Sequence, residues 1–136
     1  MIQDLHVFVD YYVAHLAGPR GDEAFHALIH APTSALPLLV DAYKRQTTSP
    51  ATRAAIVEVV WQFRDQGTVP FLAEALQEED EDIWKQALDG LVTIGGIAAI
   101  EALRAERHRR KAQSQSVSHK VEWIDEAIGQ IESGSV

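Results

Sequence analysis

The sequence predicts an all-α protein: a short right-handed α-solenoid of about eight helices, stacked as antiparallel pairs. Apolar residues recur every three or four positions along most of the chain, and no segment predicts a convincing strand. A unit also recurs, because segments 69–72 and 97–100 each follow an apolar helical pattern that ends at a glycine, Gly67 and Gly95, 28 residues apart. A helix pair this short cannot bury its own apolar face, so its copies must stack.

Composition and charge limit the functions that the chain can serve. Its 136 residues and 46% hydrophobic content suit one domain with a continuous core. The formal net charge of −8 disfavours nucleic acid and anionic membranes as partners and favours a basic protein. The absence of cysteine excludes disulfides and thiolate metal sites, and it fits a reducing compartment.

The same patterns predict the domain organisation. The start of the chain lacks the basic region and the uninterrupted apolar stretch of a signal peptide, and no apolar run approaches the roughly 20 residues of a membrane span. We therefore expect one cytoplasmic domain. Its parts are an N-terminal capping helix at 1–17, repeat units at 22–111, a polar loop at 112–118 and a C-terminal capping helix at 119–133.

The first three helices are predicted by apolar spacing and by the residues that end them. Helix 1 ends at the Gly-Pro pair 18–19, although the β-branched and aromatic residues of 6–13 leave a strand as the local alternative. Asp22 is predicted to cap a short second helix that Pro32 ends, and Ser34 to cap a third.

The later helices carry clearer boundaries. Ser49, followed by a first-turn proline, predicts the start of helix 4, and Gly67 is predicted to close it in the left-handed conformation. Thr68 is predicted to cap helix 5, and Asp80 or Asp82 helix 6. Helix 7 turns basic towards its end, which its dipole favours, and a polar segment separates it from helix 8.

The repeat resembles a known family. Aligned on their glycine stops, the helices match at Ile83, Ala87, Leu91, Ile94 and Gly95 against Ala55, Val59, Phe63 and Gly67. Segment 123–129 echoes segment 83–89. An acidic turn, a helix with a small residue and a leucine four apart, a glycine and a second apolar helix resemble the short bacterial HEAT-like repeats, which are also found in phycobilin lyase-related proteins. The resemblance covers 22 to about 133.

The resemblance implies a module that binds another macromolecule. Ala87 and Ala127 are the small residues that would let neighbouring helices approach closely. The sequence departs from the family where such repeats often carry an arginine after the first aliphatic position, because Trp84 and Ile124 stand there. No arginine ladder is therefore expected.

Catalytic, metal and cofactor sites are not predicted. The chain has no cysteine, no G-x-S-x-G turn and no glycine-rich phosphate loop. His26 and His30 lie four apart on one helix, but the glutamate and the third ligand of a zinc-peptidase motif are missing. We interpret them as surface histidines and expect no enzyme activity.

A partner-binding site is predicted around the acidic run 78–82, whose alternative interpretation is a solvated turn with one helix cap. Among the three tryptophans, Trp61 is predicted to lie in the core and Trp84 to be exposed beside the acidic turn. The basic segment 104–111 is interpreted as a helix end that its dipole favours. The predicted site residues are Glu78, Glu79, Glu81, Trp84, Lys85 and Arg64.

The leading functional hypothesis is a non-catalytic protein–protein interaction module that presents an acidic helical-repeat surface to a basic protein. One alternative is an immunity-type inhibitor of a basic toxin such as a nuclease. Another is a bilin-type ligand-handling protein, which the lyase resemblance implies and for which Tyr11, Tyr12 and His15 form the candidate cluster. We expect a monomer or a weak homodimer that joins through a terminal repeat.

Overall fold

The computed structural model describes residues 2–45, 49–113 and 119–134, and in these ranges it contains helices and no strand. The all-α prediction and the count of eight α-helices are confirmed. The α-helices are α1 (Ile2–His15), α2 (Gly21–Ile29), α3 (Leu36–Arg45), α4 (Pro50–Gln62), α5 (Val69–Ala75), α6 (Glu81–Ile94), α7 (Gly96–Gln113) and α8 (His119–Glu132). Short 3₁₀ turns, Thr33–Ala35 and Gln66–Thr68, precede α3 and α5.

The helices form two layers. Consecutive helices pack as hairpins, α1 with α2, α3 with α4, α5 with α6 and α7 with α8. Contacts also skip one helix: α2, α4, α6 and α8 touch in series and make the even layer, while α1 contacts α3 and α5 contacts α7 in the odd layer. The most extensive contact between two helices joins α4 to α6, so the hairpins stack side by side as the solenoid prediction requires.

Local capping explains where several helices start. The Ser49 hydroxyl accepts a hydrogen bond from the Thr52 amide at 3.3 Å, and Pro50 is the first residue of α4, as predicted. Asp80 caps α6, since its carboxylate accepts hydrogen bonds from the amides of Asp82 and Ile83.

Two predicted caps are wrong, and a third has the predicted position but makes no capping bond. Asp22 lies inside the first turn of α2, whose N-cap is Arg20, because the chain turns into the helix two residues earlier than the apolar pattern indicates. Ser34 lies within the 3₁₀ turn before α3. Thr68 is the N-cap residue of α5, as predicted, but its hydroxyl makes no capping bond and donates instead to the Asp65 carbonyl at 2.7 Å.

The prediction for Gly67 is also wrong. Helix α4 ends at Gln62, and the left-handed residue behind it is Arg64, with φ of 53°. Gly67 lies in the following 3₁₀ turn, where its amide donates to the Asp65 carboxylate at 2.7 Å. Gly95 does end α6 with a positive φ of 67°, as predicted.

The core runs between the two layers and is filled by aliphatic side chains from every helix for which burial is described. The predicted small residues Ala87 and Ala127 are buried there, which confirms their place at helix contacts. A close approach between helices occurs elsewhere, at Gly90 of α6, where an added Cβ would lie 2.7 Å from the Trp61 Cβ on α4. Glycine at position 90 therefore sets the spacing between α4 and α6.

Replacing Gly90 by alanine is expected to lower the free energy of unfolding by about 1–2 kcal/mol, because the overpacking cost exceeds the helix propensity gained. The clash involves the base of the Trp61 side chain, so no rotamer change relieves it. Gly129→Ala is the matched control: nothing lies within 4 Å of its added Cβ, and a gain of about 0.5–1 kcal/mol is expected. Urea denaturation measures both, and equal effects at the two positions would contradict the predicted spacing role.

The end of the predicted repeat region differs in the structure. Helix α7 continues to Gln113, so residues 112 and 113 of the predicted polar loop are helical, and the rest of that loop lies outside the described residues. The roles of α1 and α8 as capping helices stay a prediction. Among the helices described, none has the length and hydropathy required to cross a membrane.

Candidate functional site: an acidic face on the even layer

Much of the negative charge of the acidic run after α5 is paired with basic side chains of the same chain. Glu78 accepts a hydrogen bond from the Arg53 guanidinium at 2.8 Å, and both side chains are largely buried. The Glu81 carboxylate lies 2.9 Å from the His119 ring, and that hydrogen bond holds the pKa of Glu81 below its usual value. Glu79 is exposed, with the Lys120 ammonium 3.8 Å from its carboxylate. The run therefore joins α4, α6 and α8 at one edge of the solenoid.

The prediction that Trp84 is exposed is wrong. Its side chain is 0% exposed, although Lys85 and the acidic turn are its neighbours in sequence. Position 84 shares a face of α6 with Ala87, Leu88 and Leu91, which are buried at helical spacing. Trp123 is the exposed tryptophan, at 41%, and Trp61 is partly buried against the core.

The other two predicted site residues lie apart. Lys85 is on the outer side of α6, one turn after the acidic run, with its ammonium 5.4 Å from the centre of the Trp123 ring. Arg64 is exposed in the turn after α4, at the opposite edge of the solenoid, where Gln66 bonds to the Gly95 carbonyl at the end of α6. The two ends of this 14-residue helix are about 20 Å apart, so the six predicted residues do not form one site.

The basic segment at the end of α7 is also paired within the protein. Arg104 binds Glu132 and Arg107 binds Asp125, both on α8. Arg109 and Arg110 bind Glu106 within α7. These contacts leave the segment without the surplus of free cations that a phosphate backbone would require, in keeping with the acidic composition.

A different group of carboxylates lacks such partners. Each helix of the even layer contributes one carboxylate to the lining of two surface grooves, and none of these four has a cation within 4 Å among the residues that the structure describes. We call this group the acidic face: Asp22, Glu58, Asp89 and Glu126.

The acidic face is continuous along the solenoid. Asp22 and Glu58 line a groove of 660 Å³ between α2 and α4, the α2–α4 groove, together with Phe25 and His26. Asp89 and Glu126 line a second groove of 440 Å³, the α6–α8 groove, whose walls include two tryptophan side chains, Trp61 and Trp123. Helix α4 contributes side chains to both grooves, Glu58 to the first and Trp61 to the second, so the two grooves adjoin the same helix.

The comparisons with known proteins concern the same helices. The model of a family described as HEAT repeats matches residues 36–117, which is more than half of the chain. The chain belongs to the HEAT-repeat family. No curated protein matches it. The matched region of this HEAT-repeat protein begins at α3 and includes α4 to α7.

HEAT repeats generally serve protein interactions, and proteins of the family are typically non-enzymatic scaffolds. Within the described residues, no three histidine or acidic side chains come together in a way that could hold a metal ion. His26 lines the α2–α4 groove, whereas His30 lines a groove beside α1 and α3 and hydrogen-bonds the His26 carbonyl at 2.7 Å. The two imidazoles therefore face different surfaces.

The acidic face is electrostatically costly to the folded HEAT-repeat protein. Burial raises the pKa of Glu58, and the nearby charge of Asp89 raises it further. Burial also raises the pKa of Asp89, while Lys85 opposes that shift. A raised pKa in the folded state means that ionisation disfavours folding, so the cost appears as the pH rises through these values and is absent at low pH.

Glu58→Gln and Asp89→Asn are therefore each expected to increase the free energy of unfolding at pH 7, by at most about 1 kcal/mol because both side chains are partly solvated. The gain should vanish near about pH 3, where carboxylates are protonated in both states. Urea denaturation at the two pH values measures this. Glu81→Gln is the control: it should lower the free energy of unfolding at pH 7, because the hydrogen bond to His119 lowers the pKa of Glu81. A loss of stability at pH 7 in Glu58→Gln and Asp89→Asn would contradict the raised pKa values of these two carboxyl groups.

Proposed function

We propose that this HEAT-repeat protein is a non-catalytic interaction module whose acidic face binds a lysine- or arginine-rich segment of a partner protein. The observation that supports it is a row of carboxylates along the even layer that have no cation of the chain within 4 Å among the described residues. By contrast, Glu78 pairs with Arg53 and Glu81 with His119. Asp125 and Glu132 of α8 pair with arginines of α7. A basic partner would supply the missing cations.

The grooves make the acidic face suitable for a segment with long basic side chains. Each groove combines carboxylates with apolar or aromatic walls, as protein interfaces do at their centres. Charge complementarity of this kind accelerates encounter and selects partners more than it adds affinity. The more specific form of the proposal, an immunity-type inhibitor of a basic toxin, rests on the same complementarity together with the net charge of −8.

No observation favours the bilin-handling alternative. Its candidate cluster lies on α1, where the Tyr11 hydroxyl accepts a hydrogen bond from Arg20 at 3.0 Å and its ring contacts Tyr12 and His15. A mainly apolar groove of 960 Å³ lies beside α1, but its walls are formed by other residues, including Leu5 and Phe8. The cluster and the groove do not coincide.

The proposal predicts that neutralising the acidic face weakens binding of a basic peptide. A short oligo-lysine or oligo-arginine peptide is the probe, and its affinity should fall with added salt. The double variant Asp22→Asn/Glu58→Gln should bind about 2- to 30-fold more weakly, as expected for two exposed ion pairs.

The matched control removes the same charge from the odd layer. Glu74→Gln/Glu101→Gln changes two exposed carboxylates that have no ion pair among the described residues. Its affinity for the peptide should stay near that of the unmodified protein. Equal losses in the two double variants would mean that only net charge matters, and salt-insensitive binding would exclude charge-led recognition; either result contradicts the proposal.

A further inference from the structure

Lys85 occupies an unusual position on the acidic face. The four helices of the even layer carry three lysine or arginine residues, Arg53, Lys85 and Lys120. Arg53 pairs with Glu78, and Lys120 hydrogen-bonds the Glu79 carbonyl at 3.2 Å. Lys85 forms no ion pair within 4 Å in the described part of the chain.

The Lys85 ammonium lies instead over an aromatic ring. It is 5.4 Å from the centre of the Trp123 ring, within the range of a cation–π contact. Trp123 is 41% exposed and forms a wall of the α6–α8 groove, whose other lining groups include Trp61, Asp89 and Glu126. The positive charge of Lys85 also acts on Asp89, one helical turn further along α6. An exposed ring, two carboxylates and a cation drawn from the chain itself therefore meet at one groove.

We propose that the α6–α8 groove binds an arginine side chain of the partner, and that Lys85 occupies the Trp123 ring until the partner displaces it. The inference rests on the proposed function, because it names the side chain that the acidic face recognises. Asp89 and Glu126 supply the negative charge, and the Trp123 ring supplies a flat surface. Lys85 thus competes with the partner's arginine for the Trp123 ring.

Arginine fits this groove better than lysine does. Its guanidinium is planar, stacks on an indole face and presents several N–H donors to a carboxylate at the same time. It is also less strongly hydrated than an ammonium, so it loses less on leaving water. A lysine ammonium can replace only the point charge that Lys85 already provides.

Removing the competitor is expected to strengthen binding. Lys85→Gln should tighten the affinity for a short oligo-arginine peptide about 2- to 5-fold, the amount expected from one exposed cation–π contact. Arg64→Gln is the matched control, since Arg64 carries the same charge and is exposed but lies at the far edge of the solenoid. A smaller change in affinity is expected for this variant. Isothermal titration calorimetry measures both.

The role of the ring is tested by a double-mutant cycle. In a Trp123→Leu background, Lys85→Gln should improve binding no more than Arg64→Gln does, and the preference for oligo-arginine over oligo-lysine should disappear. In the unmodified protein, the indole N–H resonance of Trp123 should shift on addition of oligo-arginine, which requires no substitution. An unshifted resonance, or a gain from Lys85→Gln that persists without Trp123, would overturn the inference.

These outcomes separate the inference from the proposed function. If the peptide binds and Asp22→Asn/Glu58→Gln weakens it, while Lys85 and Trp123 variants behave like Arg64→Gln, the inference fails and the proposed function stands. If neither basic peptide binds at any salt concentration, both fail.

Discussion

Replacement of Trp84 by alanine is expected to lower the free energy of unfolding by about 3–5 kcal/mol, the usual cost of removing a large, fully buried aromatic side chain. Trp84 is 0% exposed and stacks near Trp123, at a ring separation of 5.8 Å. Its indole N–H has no acceptor among the described residues, so the lower end of that range is favoured. Urea denaturation monitored by circular dichroism measures the loss.

Trp123→Ala is the control for Trp84→Ala, because it removes the same side chain from an exposed position in the adjoining helix. Its cost should be about 1 kcal/mol, since much of that ring is already in water. Similar losses in the two variants would contradict the burial of Trp84, and with it the packing of α6 against α8.

Removal of Glu106 is expected to have the second large effect. Its side chain is 4% exposed on α7 and lies 2.7 Å from the Nε atom of Arg110, whose own side chain is 10% exposed. Arg110 also donates to the Leu76 carbonyl at 3.0 Å, which ties α7 to the end of α5. Glu106→Ala leaves this buried guanidinium with only the exposed Glu79 carboxylate, 3.8 Å away, and a loss of about 3–5 kcal/mol is expected.

Glu132→Ala provides the comparison for Glu106→Ala, because it breaks an ion pair, with Arg104, in which both side chains are about half exposed. A loss of at most about 1 kcal/mol is expected there. Thermal and urea unfolding of the two variants should therefore differ clearly. If Glu106→Ala were as mild as Glu132→Ala, Arg110 would not depend on its carboxylate for burial.

Helical spacing and glycine stops predicted the fold well, because solenoid stacking requires the same pattern in each hairpin. Ser49, Asp80 and Gly95 define helix ends through contacts within a few residues, and these were predictable. Gly67 was not, because Asp65 and Arg64 redirect the turn through local hydrogen bonding and backbone conformation that glycine alone does not indicate.

The site was harder to predict because ion pairing joins distant parts of the chain. Glu78 pairs with Arg53 across 25 residues, and the Lys120 ammonium reaches the Glu79 carbonyl across 41, so the run 78–82 looked free in sequence. The prediction that Trp84 is exposed was wrong because it relied on the charged residues beside it in sequence, although its spacing to Leu88 and Leu91 indicated burial. The sequence signal for the acidic face was weak, because its four carboxylates lie one on each of α2, α4, α6 and α8, and three of these helices carry other acidic residues as well.

The central claim is that the even layer, through its acidic face, is the binding surface. Amide chemical-shift mapping with a short oligo-arginine peptide tests it most directly. We expect shifted resonances on the outer sides of α2, α4, α6 and α8, centred on Glu58 and Asp89. Shifts confined to the odd layer or to the turn 78–82 would contradict the claim.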